Sequence, residues 1–326
     1  MTGCDGRAVV VVGAGVVGLT AALELADRGA RVRIVAEEVE APGSSVAAAL
    51  WAVPFVERSE RVRAWAYTTL ARLRRDASPE LGVREQECRV VGTAPAAADP
   101  WTRGFTPALR AATPDELPEG YAAGTVSSIP LVDTARFLPA LRARCAAAGV
   151  TIARARVDDL ASAARPGEIV VVAAGAGSPA LTGDAEGSVL RSQIVRMTNP
   201  GIARTTIVRD GHAAPLTIVP RFDDVVVVGG AGDRFDPSID PEESRALVAR
   251  ARLVEPRLAD ADVVSEAVGH RPLRARMRVA AERIGSVPVV HCHGHGGAGV
   301  ALSWGTAAAV ADLVASSGGS GAEDAA

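Results

Sequence analysis

"AVVVVGAGVVGLTAALELADRGARVRIVAEE", Ala8 to Glu38, holds the clearest structural pattern in the chain. Four valines, Val9 to Val12, run straight into Gly13, as in a strand buried on both faces. Val17, Leu19, Leu23 and Leu25 then carry a helical spacing as far as Gly29, a natural stop. "RVRIVAEE" follows as a second strand. Strand, helix and strand in this order predict a βαβ unit and a parallel sheet. The segment Ala8 to Ala26 is apolar enough to pass for a membrane or signal helix, but its three glycines, Glu24 and the following Asp27-Arg28 place it in a soluble interior. Gly13-x-Gly15-x-x-Gly18 sits between strand and helix. The first glycine permits a tight turn, the second lets backbone approach a pyrophosphate, and the third lets helix lie on sheet; Ala14 and Val17 belong to the same turn. Glu37, with Glu38 beside it, closes the second strand. A carboxylate there accepts hydrogen bonds from a ribose and repels a 2'-phosphate, so a dinucleotide other than NADP is expected.

The chain has 326 residues, 48% of them apolar, enough for a sizeable core. A formal charge of -3 with interspersed signs offers no basic stripe, so neither nucleic acid nor a membrane surface is expected as partner, and small molecules remain. Cys4, Cys88, Cys145 and Cys292 are scattered, as free buried thiols in a reducing compartment would be. With no export signal and no peroxisomal tripeptide at the Asp-Ala-Ala terminus, cytoplasm is the default location. The polar ending "ASSGGSGAEDAA" reads as disordered.

Further along come a serine-bearing loop, "APGSSVAAALWAVPF", and an amphipathic helix, "SERVRAWAYTTLARLRRDA". From Pro79 to Ile129 the periodicity is broken, and loops with short strands are expected. Asp133 is placed to cap a helix ending near Gly149, and "EIVVVAAG" reads as another parallel core strand. "LRSQIVRMT", "TTIVRD", "PLTIVPRF" and "DDVVVVGG" are closely spaced strands of an antiparallel sheet. Asp240-Pro241-Glu242-Glu243 combines a capping aspartate, a first-turn proline and a capping-box glutamate, which predicts a helix over "PEESRALVARARLV". "RARMRVAAERIG" and "VPVVHCHG" read as the last strands. The final helix begins near Gly299.

A second glycine turn, "HCHGHGGAGVALSWG", precedes that helix. Its backbone N–H groups and the positive helix end suit an electron-rich atom, such as the edge of a reduced flavin. A cofactor touched by both ends of the chain is long, which favours FAD over NAD. His291, His293 and His295 could share one side of a strand and bind metal, but the glycines after them would then have no role. They read as packing or pocket-lining groups, and no metal is assigned.

Together "VVVVGAGVVGLTAAL" with Glu37, "SSVAAALWAVPF", "VVVAAGAGSPAL", "RSQIV", "GHRPLRARMRV" and "HCHGHGGAGVALSWG" resemble the D-amino acid oxidase family, FAD-dependent enzymes related to glycine and sarcosine oxidases. The resemblance implies an α/β fold in which a Rossmann-like FAD-binding domain (1–55, 130–185, 265–326) interleaves with a mainly antiparallel-sheet substrate domain (56–129, 186–264). It implies hydride transfer from Cα to flavin N5, giving an imino acid, with O2 reoxidising the flavin to yield H2O2. It assigns Arg278 to the substrate carboxylate, a role suited to a bidentate guanidinium, and the carbonyl of Gly297 to the amine. Gly43, Ser44, Ala49, Leu50, Val157, Ala174 and Gly175 match FAD-lining positions, and Gly296, Gly297, Ala298, Gly299, Val300 and Ala301 the segment wrapping the ring. Periodicity puts Arg274, Arg276 and Arg278 on one face and cannot choose among them; for the first two, salt bridging is the plainer role.

The match also breaks. Family tyrosines that hold the carboxylate and cover the pocket correspond here to Ala213 and Thr217, so a wider, less aromatic pocket is expected, in which Thr217 retains a hydroxyl. Ala301 lacks the usual hydroxyl, and Ala52 replaces a longer polar residue. His212, Arg209, Arg221 and Arg234 are candidates for extra substrate contacts, or ordinary loop arginines. Alternatives are an oxidase of an N-substituted glycine or bulky specialised-metabolite amine, a flavoprotein without turnover, and an NAD-dependent dehydrogenase. A homodimer is left open.

Overall fold

β1 (Ala8–Val12) lies between β2 (Arg31–Ala36) and β7 (Glu168–Val172), parallel to both. The computed structural model describes residues 3–92, 106–211, 216–232 and 235–317, with backbone alone at 230–232. The four valines are explained by burial on both sides of the sheet. Val9 and Val11 join one apolar cluster, with α1 (Val16–Asp27) and α7 (Gly299–Ser316). Val10 and Val12 join the opposite cluster, with Leu160 and Ala163 of α4 (Leu160–Ala163). A fully buried valine or leucine contributes about 1.5–3 kcal/mol.

The parallel set continues outward to β6 (Thr151–Arg154) beyond β2, and inward to β13 (Val287–His295) beyond β7. From there β12 (Val263–Ile284) runs antiparallel to both β13 and β8 (Ser188–Thr198). Next come β11 (Asp224–Gly232), β10 (Leu216–Pro220) and β9 (Thr205–Val208), all antiparallel neighbours. β9 lies parallel to β3 (Val83–Gly92), which pairs with β5 (Ala123–Val132) and through it with β4 (Arg110–Ala111). Among the described residues one hydrogen-bonded sheet of 13 strands results.

Local chemistry fixes the helices. Asp133 accepts from Ala135 N–H at the start of α3 (Thr134–Ala147), and Asp240 accepts from Glu242 and Glu243 N–H at the start of α6 (Pro241–Val254), as the sequence predicts. α6 covers the outer face of the antiparallel strands through Leu247, Val248, Ala251 and Val254. α7 is apolar because other elements cover most of it: it packs on α1 and on α2 (Glu60–Arg75). The serine-glycine tail is expected to be disordered from Ala315, but α7 continues to Ser316; residues 318–326 lie outside the described residues.

Four elements differ from expectation. β3 and β5 are each 10 residues long and pair along their whole length, where loops and short strands are predicted. Their alternation is masked by buried polar groups with partners of their own: Gln86 donates to Thr205 Oγ1 at 2.7 Å, and Arg89 to Thr206 Oγ1 at 2.9 Å. β12 has 22 residues and starts well before Arg274. α2, placed by sequence with the substrate unit, buries Val62, Ala66, Leu70 and Leu73 in the same core as α1 and α7. A Cβ on Gly305 of α7 would lie 2.2 Å from Trp65 O, so only glycine admits that helix contact.

Candidate active site

The two glycine turns meet on one cavity of about 1420 Å3, larger than the roughly 300–1,000 Å3 of an ordinary small-molecule site. At one end, Gly13, Ala14, Gly15 and Val17 line it where β1 gives way to α1. A Cβ on Gly13, whose φ is +116°, would sit 2.4 Å from Ala173 O, and one on Gly18 would sit 1.9 Å from Gly13 O. Gly18 therefore holds helix on turn and does not line the cavity. Ser44 Oγ accepts from Val16 N–H at 3.2 Å and would meet a Cβ on Gly15 at 3.1 Å, a tight contact that Ser44 would have to yield. Glu37 and Glu38 line the same end beside Arg156, which comes within 3.5 Å of Glu37. Val157, Ala174 and Gly175 complete the wall.

The middle is covered by residues 43–55. Gly43, Ser44, Ala49 and Leu50 face the space, and the cover is tied to β5 by Val132 N–H to Ala49 O and Trp51 N–H to Pro130 O, both 2.8 Å. Ala49 and Phe55 hold φ of +47° and +58°, uncommon for residues with side chains. The tip of the cover meets the second turn. Gly297 N–H donates to Pro54 O at 3.3 Å, and a Cβ on Gly296 would lie 2.1 Å from Phe55 O. Gly296, Gly297, Gly299 and Val300 line the cavity, whereas Ala298 and Ala301, expected to do so, are buried in the core and anchor the turn from behind.

Beyond Gly297 the cavity runs along one face of the antiparallel strands. Alternate residues point in, among them Cys88 and Val90 of β3, Ser127 and Ile129 of β5, Ile207, Thr217, Val228 and Ser192. Ala52 and Arg209 line it as well. The wall carries aromatics that the sequence did not single out: Phe55 and Phe235 line it, and Phe235 stacks on His270 with centroids 4.2 Å apart.

Of the arginines that line this space among the described residues, Arg209 and Arg271, the one set against the second glycine turn is Arg271. It lies against Gly297, where an added Cβ would be 3.4 Å from its Cδ. Its guanidinium donates to Ser192 Oγ and sits 5.5 Å above the Phe55 ring. Burial pushes it below the usual arginine value, and among the described residues no carboxylate pairs with it. Arg278 is elsewhere: it pairs with Glu282 at 2.7 Å and does not line the cavity. The cause is backbone register. The pairing of β12 with β13 shifts between Leu273 and Arg278, so simple alternation does not carry across that stretch, and Arg271 lies on its other side. Arg274 pairs with Asp184 at 2.9 Å and Arg276 is exposed. Arg221 is buried between Asp224 and Asp133 and faces no substrate space. His212, Ala213 and Arg234 lie outside the described residues. Arg271 is the residue that sequence reasoning missed, together with Ser192, Phe55 and Phe235. Its signal was the same "GHRPLRARMRV" stretch, in which the resemblance points to Arg278 while the structure puts Arg271 on the cavity.

The three histidines do not share one set of partners, although His293 and His295 both border the cavity. Gly294, at φ +83°, turns the strand between them. His291 and His293 stay together, 3.3 Å apart between ring nitrogens, while His295 turns to Thr306 of α7, also at 3.3 Å. Among the described residues no group of three or more His, Cys, Asp or Glu is placed to hold a metal ion. Burial lowers His295 to about 4 and His293 to about 3. In the unfolded chain each returns to its ordinary value of 6.5, so the unfolded state binds more protons below that pH. Stability from the two neutral rings is complete above pH 6.5 and falls as pH drops toward 4 and 3, by up to about 1.4 kcal/mol per pH unit for each. His295→Gln is expected to lose less stability than the wild type between pH 7 and pH 5 in urea titrations; equal losses would remove His295 from that acid sensitivity.

The residues fit an extended dinucleotide: backbone turns with no room for a side chain, two helix starts and a strand-end carboxylate along one cavity. A family model described as FAD dependent oxidoreductase matches residues 8–313. The chain is 37% identical over 320 residues to a D-amino-acid oxidase of Rubrobacter xylanophilus, covering 96% of this chain and 98% of that one. It is 37% identical over 324 residues to a D-amino-acid oxidase of Streptomyces coelicolor, covering 95% and 97%. Its fold is similar to that of glycine oxidase from Geobacillus kaustophilus, with a TM-score of 0.77, 23% identity and coverage of 94% and 95%.

Proposed function

The chain belongs to the FAD-dependent oxidoreductase family, and from that premise we propose that it oxidises a D-amino acid whose carboxylate is held by Arg271. The observation that carries this reading is a desolvated guanidinium, beside Gly297 and without a carboxylate partner among the described residues, at the far end of an FAD-sized cavity. Bound FAD would supply the acceptor for the Cα hydride and pass its electrons to O2, giving an imino acid and H2O2.

The protein's own part is binding and orientation. Gly13, Gly15 and the start of α1 would hold the pyrophosphate, Glu37 the ribose, and the turn from Gly296 to Val300 the flavin ring. Arg271, oriented by Ser192, presents a planar fork that matches a carboxylate. The Gly297 carbonyl is the acceptor for the substrate amine, and the Thr217 hydroxyl a donor to the acid. Phe55 and Phe235 exclude water from the reacting end. D-amino acids are favoured because relatives matched over nearly their whole length bear that name.

A second reading, an N-substituted glycine or other bulky amine acid, is favoured by one observation: Ala52, Ala111, Ala123 and Thr217 leave the cavity wide where the substrate side chain would lie. An anaerobic flavin-reduction screen over both enantiomers of the amino acids and N-alkylglycines decides between them. Bleaching by D-amino acids is the expected result; bleaching by N-alkylglycines alone would select the second reading and overturn the first.

A further inference from the structure

His291 and His293 are buried side by side, and neither cofactor nor substrate binding as described above uses them. His291 Nδ1 is 3.3 Å from His293 Nε2. On the outer side His291 Nε2 is 2.7 Å from Glu282 Oε1, on a side chain 37% exposed to solvent. On the inner side His293 lines the cavity. His293, a residue of the cavity wall, is thus linked through His291 to Glu282 at the surface of the protein.

Valence fixes the direction of that link. A carboxylate only accepts, so the proton facing Glu282 is on His291 Nε2. His291 is held below the usual imidazole value by its burial, against the pull of Glu282, and a neutral ring leaves its Nδ1 as a bare acceptor. His293 must then donate from Nε2, and its own Nδ1 carries no proton. That atom faces Asp184 Oδ2 at 3.9 Å, a second acceptor beyond hydrogen-bond distance. The charged and titratable groups around the pair are Glu282, Arg278 and Arg274 of β12, Asp184 after the short helix α5 (Ser178–Thr182), and His295 on β13. Arg278 and Arg274 each pair with one of the two acids, at 2.7 and 2.9 Å. Arg278 thus anchors the outer end of the link.

We propose that His293, His291 and Glu282 form a relay that carries a proton from the cavity to solvent and back once per turnover. The chemistry rests on the oxidase reading above; the arrangement of protons does not. Oxidation of an ammonium acid by O2 is proton-neutral overall: R–CH(NH3+)–COO− and O2 become R–C(=NH2+)–COO− and H2O2. The ammonium releases one proton when the Cα–H departs as hydride, and O2 takes up that hydride equivalent and one proton to become H2O2. In the outward half, a proton from the cavity adds to His293 Nδ1. The Nε2 proton of His293 then passes to His291 Nδ1, and the Nε2 proton of His291 passes to the Glu282 carboxylate and on to water. The inward half reverses each transfer, so both imidazoles regain their starting tautomers without turning over.

Two measurements on the FAD-loaded protein test the relay. Nitrogen–proton correlation spectra of the five histidines report tautomers directly. His291 and His293 are expected to be neutral near pH 7, each with its proton on Nε2; a neutral His293 protonated on Nδ1 would orient the chain wrongly and overturn the proposal. Glu282→Gln removes the outer acceptor at a partly exposed position. In weakly buffered anaerobic stopped-flow with a pH indicator, proton release is expected to slow at least about tenfold. Added imidazole or Glu282→Asp should restore it, and release as fast as in the wild type would overturn the relay. If no amine-bearing acid reduces the flavin, the oxidase reading falls and the tautomer spectra alone decide the proton order.

Discussion

Arg271→Ala is expected to lower kcat/KM for carboxylate substrates about a hundred- to a thousandfold, equivalent to about 3–4 kcal/mol, while the protein stays yellow. The size follows from the setting. Arg271 is half-buried against Phe55 and Gly297 with Ser192 as its hydrogen-bond partner, so a substrate acid meets a guanidinium already stripped of much of its water. Removing it leaves that acid desolvated and unpaired. FAD retention should not change, since Gly13, Gly15 and Ser44 are untouched. Arg271→Lys keeps the charge but not the fork, and should recover only part of the loss. Arg278→Ala, by contrast, is expected to change apparent substrate affinity by no more than about twofold, the range of surface substitutions. A loss of affinity at Arg278 with none at Arg271, measured by steady-state kinetics, would return the role to Arg278.

Gly13→Ala should abolish cofactor retention. The added Cβ would lie 2.4 Å from Ala173 O and 2.8 Å from Ala173 C, backbone of the segment that follows β7, at a φ of +116° that L side chains rarely adopt. Neither strand can give way cheaply, because β1 and β7 are paired at five successive positions and buried on both faces. We expect a loss of several kcal/mol, about 3 or more, and protein that elutes colourless or fails to accumulate. Flavin absorbance per chain after gel filtration, together with the urea midpoint, measures both effects. Full occupancy with an unchanged midpoint would show that the turn tolerates a side chain and does not grip the cofactor.

Much of the nucleotide half was legible because its signals are local. The valine run, the glycine turn, Glu37 and the caps at Asp133 and Asp240 each act within a few residues, and the structure places them as their spacing implies. What was not legible depends on distant partners. β3 and β5 look irregular until Gln86 and Arg89 are seen to satisfy Thr205 and Thr206 on β9. The choice between Arg271 and Arg278 turns on a register shift that strand periodicity cannot reveal. The fate of His295 turns on the positive φ of Gly294. The aromatic cover supplied by Phe55 and Phe235 comes from the cover segment and from the chain after β11, not from the strand on which tyrosines were sought.

The most direct measurement is an anaerobic titration of the purified protein with a D-amino acid and, separately, with the same amine lacking its carboxylate. A single cavity that seats FAD along both glycine turns and an acid on Arg271 predicts yellow protein, bleached by the first compound and scarcely by the second. Colourless protein, or bleaching equally rapid with both, would contradict it.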